Sequence, residues 1–334
     1  MFRKILVPLD RSSLSEQALG TAEAIAHASG GEISLVVAHP MAPYDGSMAG
    51  SWDDAKDPEE VIYVRRLADE IARGARVVAG GTVATGAPVD AICRRAHEID
   101  ADLIVMTSHG RTGFSRAWLG SVADGVVRKA SVPVLMLRAT SDTTVLGHGR
   151  ALPLFHRILV PLDGSVTASS ILEAAAALAK CGNAKLVLLR VVATVPIYLM
   201  DPQVPAYPTT IADLEATQEA AELAEEELAA VAASVEREYS LKVETVVEIS
   251  DRTAHAILEV AKRQGADLVA MTTHGRGMSR LVVGSVTDKV LRGSYLPMLL
   301  HHPGAAKAAA TPAILAASGA VRRMSGLPEG DLTP

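Results

Sequence analysis

Short runs of Val, Ile, Leu and Met alternate with stretches of helical period along the first 140 positions. The runs are apolar throughout rather than every second residue, which predicts strands buried on both faces of a parallel sheet. Strand one is predicted at 3–9. Helix one starts from the Ser12/Ser13 cap region, sets Ala18, Ala22, Ile25 and Ala26 on one face, and stops at Gly30 and Gly31. Strand two runs Ile33 to Ala38, and a Pro/Gly-rich loop (40–58) leads to helix two. Strand three at 77–85, helix three at 88–99, strand four at 102–107, helix four at 120–129 and strand five at 132–137 complete the set.

The whole pattern then occurs again. Ile5-Leu6-Val7-Pro8-Leu9-Asp10 recurs unchanged as Ile158-Leu159-Val160-Pro161-Leu162-Asp163, and the run Ala101 to Arg111 is echoed by Ala266 to Arg276. The chain therefore reads as a repeat at 1–140, a polar linker at 141–155, a second repeat at 156–302, and an Ala/Pro/Gly-rich flexible tail at 303–334. The fold class that follows is α/β, two tandem flavodoxin-like domains, each with a parallel sheet under helices on both faces. Repeat two has a longer second helix, 211–238, with nine acidic residues and one basic residue, Arg237. Leu214, Ala221, Leu228 and Val235 recur on it every seven residues, so it reads as a solvated acidic helix lying on the sheet.

Composition narrows the function classes. Of the 334 residues, 49% are hydrophobic and 21% charged, which suits two packed cores. Aromatics make up 3% and the formal charge is −6, so base-stacking or electrostatic nucleic-acid binding and attachment to acidic membranes are not expected. Cys93 and Cys181 sit in apolar helical patterns and read as small core residues in a reducing compartment. No stretch reads as a signal peptide or a membrane span, so a cytoplasmic location is expected.

Candidate chemistry gathers where strands one and four end. Ligands of open parallel sheets sit beyond the carboxyl ends of strands, where strand order reverses. Asp10 and Asp163 end strand one. Gly110, nine residues, then Gly120-Ser121 lead into helix four, and glycine amides with a helix N-terminus suit a phosphate. Arg111 and Arg116 would supply local positive charge. The two aspartates fit either a Mg²⁺ ion or ribose hydroxyl, or a carboxylate accepting N–H groups at its own turn. His109 and His274 lack partners at metal spacing and read as loop histidines bonded to local backbone. No Gly-Lys-Ser/Thr occurs, which excludes a P-loop.

The strand ending Val7-Pro8-Leu9-Asp10, the Ser108-His109-Gly110-Arg111 segment and the Gly110-x9-Gly120-Ser121-Val122 run together resemble the universal stress protein family, over residues 1–138 and 156–302. The resemblance implies strand order 3-2-1-4-5, which would put the apolar strand five at a sheet edge, where members pair as dimers. Val132–Leu137 is therefore expected to meet Leu296–Leu300 as an internal pseudo-dimer, and a homodimer of the whole chain is compatible with that. For its ATP-binding members the resemblance implies a Gly-x2-Gly-x9-Gly-Ser/Thr motif. Carried over, the implied adenine-nucleotide site in repeat one comprises Pro8, Leu9, Asp10, Pro40, Met106, Thr107, Gly110, Arg111, Gly120, Ser121 and Val122. In repeat two it comprises Pro161, Leu162, Asp163, Val191, Met271, Thr272, Gly275, Arg276, Gly284, Ser285 and Val286. Thr107 and Thr272 stand in place of the first glycine. Pro40, at the adenine position, has no N–H, whereas Val191 at the position taken as equivalent can donate. Gly275 and Gly284 are separated by eight residues rather than nine. Repeat one keeps the phosphate spacing and is expected to be the working site. The function implied is a stress-response regulator that binds ATP, with Mg²⁺, and carries no dedicated catalysis. The rivals are a nucleotide-free interaction module contacting an unidentified protein partner, and a slow ATPase.

Overall fold

Each apolar run is split by its pleat between two layers. The computed structural model describes residues 1–39, 58–108, 119–138, 154–194, 211–273 and 283–302. Repeat one comprises β1 (Lys4–Leu9), α1 (Ser13–Ser29), β2 (Glu32–His39), α2 (Pro58–Gly74), β3 (Val78–Thr85), α3 (Pro88–Glu98), β4 (Leu103–Thr107), α4 (Ser121–Lys129) and β5 (Val134–Leu137). Repeat two comprises β6 (Arg157–Pro161), α5 (Val166–Ser169), α6 (Leu172–Gly182), β7 (Lys185–Val192), α7 (Ile211–Tyr239), β8 (Val243–Ile249), α8 (Thr253–Arg263), β9 (Leu268–Thr272), α9 (Ser285–Gly293) and β10 (Met298–His301). Ile5, Val7 and Leu9 of β1 face a layer closed by α1, α2, α6 and α7. Leu6, Ile104 and Met106 face the opposite layer, closed by α3, α4, α8 and α9.

All ten strands form one sheet in the order β3-β2-β1-β4-β5-β10-β9-β6-β7-β8. Neighbours are parallel within each repeat, with crossovers through the helices, and the reversal of order falls between β1 and β4 and between β6 and β9. β5 and β10 pair antiparallel, with Met136 opposite Met298, Leu135 opposite Leu299 and Val134 opposite Leu300. The two uncharged edges thus cover each other. Both strands start two residues later than the pattern predicts, because Pro133 and Pro297 have no N–H for the ladder. Either repeat made alone, as 1–138 or 154–302, would bare this edge. Light scattering after size exclusion should find it self-associated; a stable, soluble monomer would contradict the role given to the edge.

Helix ends follow local chemistry. Gly30 closes α1 in the left-handed region at φ 62°, and Asn183 does the same for α6 at φ 51°. The counterpart of α1 in repeat two is broken into α5 and α6 by a tight turn at Ser170, whose hydroxyl donates to the Thr167 carbonyl at 2.8 Å. Along α7, Ala221, Leu228, Val231 and Val235 are buried against β7 and β8, and Glu215, Glu219, Glu222, Glu225 and Glu226 are exposed. Leu214, expected on the buried stripe, is 59% exposed. A seven-residue step drifts by roughly 20° per heptad on a straight helix, so three steps turn it off the sheet. No helix among the described residues is long and apolar enough to cross a membrane. The expected linker, the tail and the 40–57 loop lie outside the described residues.

Candidate functional site

The strand-one turns are built alike in both repeats. Asp10 Oδ1 accepts the Ser12 N–H at 3.0 Å and its hydroxyl at 2.5 Å; Asp163 Oδ1 accepts the same pair from Ser165 at 2.9 and 2.6 Å. Ser12 and Ser165 in turn cap α1 and α5, accepting from Ser15 N–H and Ala168 N–H. Of the two roles open to these aspartates, the turn acceptor is what this geometry displays. The next residue takes a positive φ in both repeats, 66° at Arg11 and 84° at Gly164. Gly164 suits that conformation, and the Arg190 guanidinium of β7 lies over it: a Cβ there would come within 2.8 Å of Nη1. The first turn thus contains an arginine, and the second has one lying over it. Arg11 approaches Glu59 at 3.9 Å, and Arg190 pairs with Glu227 of α7 at 3.4 Å.

The entries to α4 and α9 contrast with these capped helices. Gly120 and Gly284 are the N-cap residues, and neither helix has a side-chain cap. The first-turn N–H groups of residues 121–123 and 285–287 have no carbonyl inside the helix to bond, and they carry the positive end of its dipole. The glycine amides themselves are not among these donors. Gly120 N–H bonds the Ser108 carbonyl at 2.9 Å, and Gly284 N–H bonds the Thr273 carbonyl at 2.5 Å. Nor do these glycines need unusual backbone, since φ is −60° and −55°; what glycine contributes is an uncovered helix end. In repeat two the N-terminus is fastened once more, by Thr287 Oγ1 donating to the Thr272 carbonyl at 2.9 Å.

In repeat two these parts enclose a cavity of about 290 Å³. Pro161, Leu162, Asp163, Val191, Met271, Thr272, Gly284, Ser285 and Val286, all singled out from the sequence, line it. Five further residues do so that were not: Ala168, Leu189, Thr253, Ile257 and Thr287. Leu189 and Ile257 are buried apolar residues of β7 and α8. Thr287 had a signal available, because the aligned position in repeat one is Ala123. The wall is mostly apolar, while Ser285, Val286 and Thr287 bring the open end of α9 to it. Near its rim, Asp251 Oδ1 accepts the hydroxyl of Thr194 at 2.7 Å and its N–H at 3.0 Å, which holds the carboxyl below the usual carboxylate range and ties the end of β7 to the turn before α8.

The sheet places the repeat-one residues in the matching crevice. Pro8 and Leu9 end β1, Met106 and Thr107 are buried at the end of β4, and Gly120, Ser121 and Val122 open α4. Pro40, Gly110, Arg111, Gly275 and Arg276, with His109, Arg116 and His274, lie outside the described residues. One equivalence is corrected. Pro8 pairs with Val36 as Pro161 pairs with Leu189, so Val191 corresponds to Ala38 and not to Pro40. A shift of two residues keeps the strand face, which is why Val191 still reaches the cavity. Among the described residues no group of three or more His, Cys, Asp or Glu side chains is arranged to hold a metal ion.

Comparison with known proteins agrees with this architecture. A universal stress protein of Mycobacterium tuberculosis (strain H37Rv) is 28% identical over 267 residues, covering 79% of this chain and 83% of that protein. One from Methanocaldococcus jannaschii is 32% identical over 145 residues, 41% of this chain and 83% of its own length. Two solved structures share the fold over nearly the whole chain. A universal stress protein from Archaeoglobus fulgidus superposes with a TM-score of 0.60 at 21% identity, covering 90% of this chain and 98% of its own. A functionally unknown protein from Pseudomonas aeruginosa does so with 0.61 at 18%, covering 96% and 98%. The family model for universal stress proteins matches twice, at residues 1–138 and 154–302, and the chain belongs to the universal stress protein family.

Proposed function

We propose that this protein binds an adenine nucleotide, ATP in the first instance, in the crevices beyond β1 and β4 and beyond β6 and β9, and acts as a regulator in the stress response rather than as a catalyst. The observation that carries the reading is the junction, in one cavity, of an apolar wall with an uncapped helix N-terminus. Leu189, Val191 and Ile257 offer a surface for a flat base, and the N–H groups of Ser285, Val286 and Thr287 offer donors for a phosphate. The Ser285 hydroxyl, like Ser121 in repeat one, adds a donor at the same helix end. The volume suits a nucleoside with its first phosphate. A Mg²⁺ ion accompanying the nucleotide would be held chiefly by phosphate and water, since each crevice offers one strand-end aspartate and one oxygen of that carboxylate, Oδ1, is already taken up by its turn. The same commitment argues against Asp10 or Asp163 as a general base for hydrolysis.

The test is to denature the purified chain and analyse the supernatant by ion-exchange chromatography. Adenine nucleotide released in proportion to protein is the expected result. A nucleotide-free supernatant, with no binding on adding millimolar ATP, would favour the interaction-module reading instead, and phosphate released from ATP above background would favour the ATPase.

A further inference from the structure

We infer that Thr287 is a positioning residue that makes repeat two the tighter of the two nucleotide sites, an inference that rests on the nucleotide reading above. Preference for repeat one on loop spacing alone is thereby reversed. The two repeats share most of the fastening at this point. After β4, Ser108 N–H bonds the Leu137 carbonyl at 2.8 Å and Gly120 N–H bonds the Ser108 carbonyl; after β9, Thr273 N–H bonds the His301 carbonyl at 2.9 Å and Gly284 N–H bonds the Thr273 carbonyl. They differ at the third helical residue. In α9 it is Thr287, buried, whose hydroxyl reaches the last carbonyl of β9 at 2.9 Å across fifteen positions of sequence. In α4 it is Ala123, which has no hydroxyl to give.

This bond has a direct bearing on anion binding. The donors of a helix N-terminus lie in its first turn, which also frays most readily. A side chain of that turn tied to a buried strand end fixes where the N–H groups of Ser285, Val286 and Thr287 point before any ligand arrives, so less ordering remains to be done on binding. A second link extends from the same place. Thr273 Oγ1 lies 2.9 Å from His302 Nδ1 at the end of β10, which steadies the residue whose carbonyl holds Gly284. In repeat one the residue aligned with His302 is Arg138, and its guanidinium reaches across the seam to the Leu291 carbonyl of α9.

The test uses the full chain with ATP as the probe. A Gly120→Val background silences repeat one, so that calorimetric titration reports repeat two. Thr287→Ala is expected to weaken ATP binding about five- to tenfold, the usual effect of one buried hydrogen bond, and Thr287→Ser to restore it. In the ligand-free protein, amide exchange at Ser285 and Val286 should quicken in Thr287→Ala and return to the wild-type rate in Thr287→Ser. The reciprocal change, Ala123→Thr in a Gly284→Val background, should tighten repeat one. Binding by Thr287→Ala equal to that of its parent, even with a lowered melting temperature, would assign the bond to stability alone and overturn the inference. Failure of serine to rescue would overturn it as well. An unaltered chain that binds no ATP would instead remove the nucleotide reading on which it stands.

Discussion

Gly284→Val will lower the affinity of repeat two for ATP by at least a hundredfold while leaving the fold in place. Gly284 stands at the mouth of α9 with φ −55° and ψ 145°, a conformation any residue adopts, and its N–H is already bonded to the Thr273 carbonyl. Valine therefore brings little backbone strain. Its branched side chain would instead stand over the first-turn amides and keep a phosphate from approaching them. A hundredfold loss corresponds to about 2.8 kcal/mol, in the range of losing one or two hydrogen bonds to a charged group. Exchanging glycine for a poorer N-cap residue costs stability of roughly 1 kcal/mol or less. Titration calorimetry and scanning calorimetry on the same samples separate the two effects. Gly120→Val poses the same question for repeat one. Unchanged binding in both single variants and in their combination would show that the helix ends do not hold the phosphate.

The second large effect is on stability, at the seam. Leu135→Asp is expected to destabilise the whole chain by about 4 kcal/mol or more, and Leu299→Asp to do the same. Both side chains are fully buried, and their residues lie opposite each other where β5 meets β10. An aspartate there either remains ionised without a partner or takes up a proton in apolar surroundings, and either state is costly. The damage reaches both repeats because one core layer runs from Val105 in β4 through Leu135 and Leu299 to Ala270 in β9. Urea denaturation followed by circular dichroism reads the shift. Tyr295→Asp, at a position 85% exposed and three residues before β10, serves as the control and should change the midpoint little. A Leu135→Asp chain as stable as that control would contradict the place given to the seam.

The fold was legible because the information was doubled. Ile-Leu-Val-Pro-Leu-Asp written twice identifies β1 and β6, and the uninterrupted apolar runs mark strands covered on both faces. The meeting of β5 with β10 was expected from the strand order that the resemblance implies, together with an uncharged edge that had to be covered. The errors share a different origin, in geometry that a linear pattern does not carry. The late starts of β5 and β10 come from proline's missing N–H. Leu214 faces solvent because the helical period is not 3.5. The linear motif sets Val191 against Pro40, whereas the hydrogen-bond register sets it against Ala38.

The site was legible in part. Asp163, Gly284, Ser285 and Val286 line one cavity, although the spacing from Gly275 to Gly284 is one residue short of the motif. Of the two roles left open for Asp163 the geometry displays the turn acceptor, and the Gly284 N–H is bonded to the Thr273 carbonyl. Arg190 stands in an apolar strand pattern, and its guanidinium lies over the turn at Gly164, distant in sequence. Thr287 stood one residue past the motif, and the partner that gives it meaning, the Thr272 carbonyl, is reached only through the fold.

The central claim is that the open ends of α4 and α9 hold an adenine nucleotide. Its most direct test is an equilibrium titration of the full chain with ATP, side by side with the Gly120→Val/Gly284→Val double variant at matched folded fraction. Saturable binding by the unaltered chain and none by the double variant is the predicted result. No binding by the unaltered chain at millimolar ATP, or equal binding by both, would contradict it.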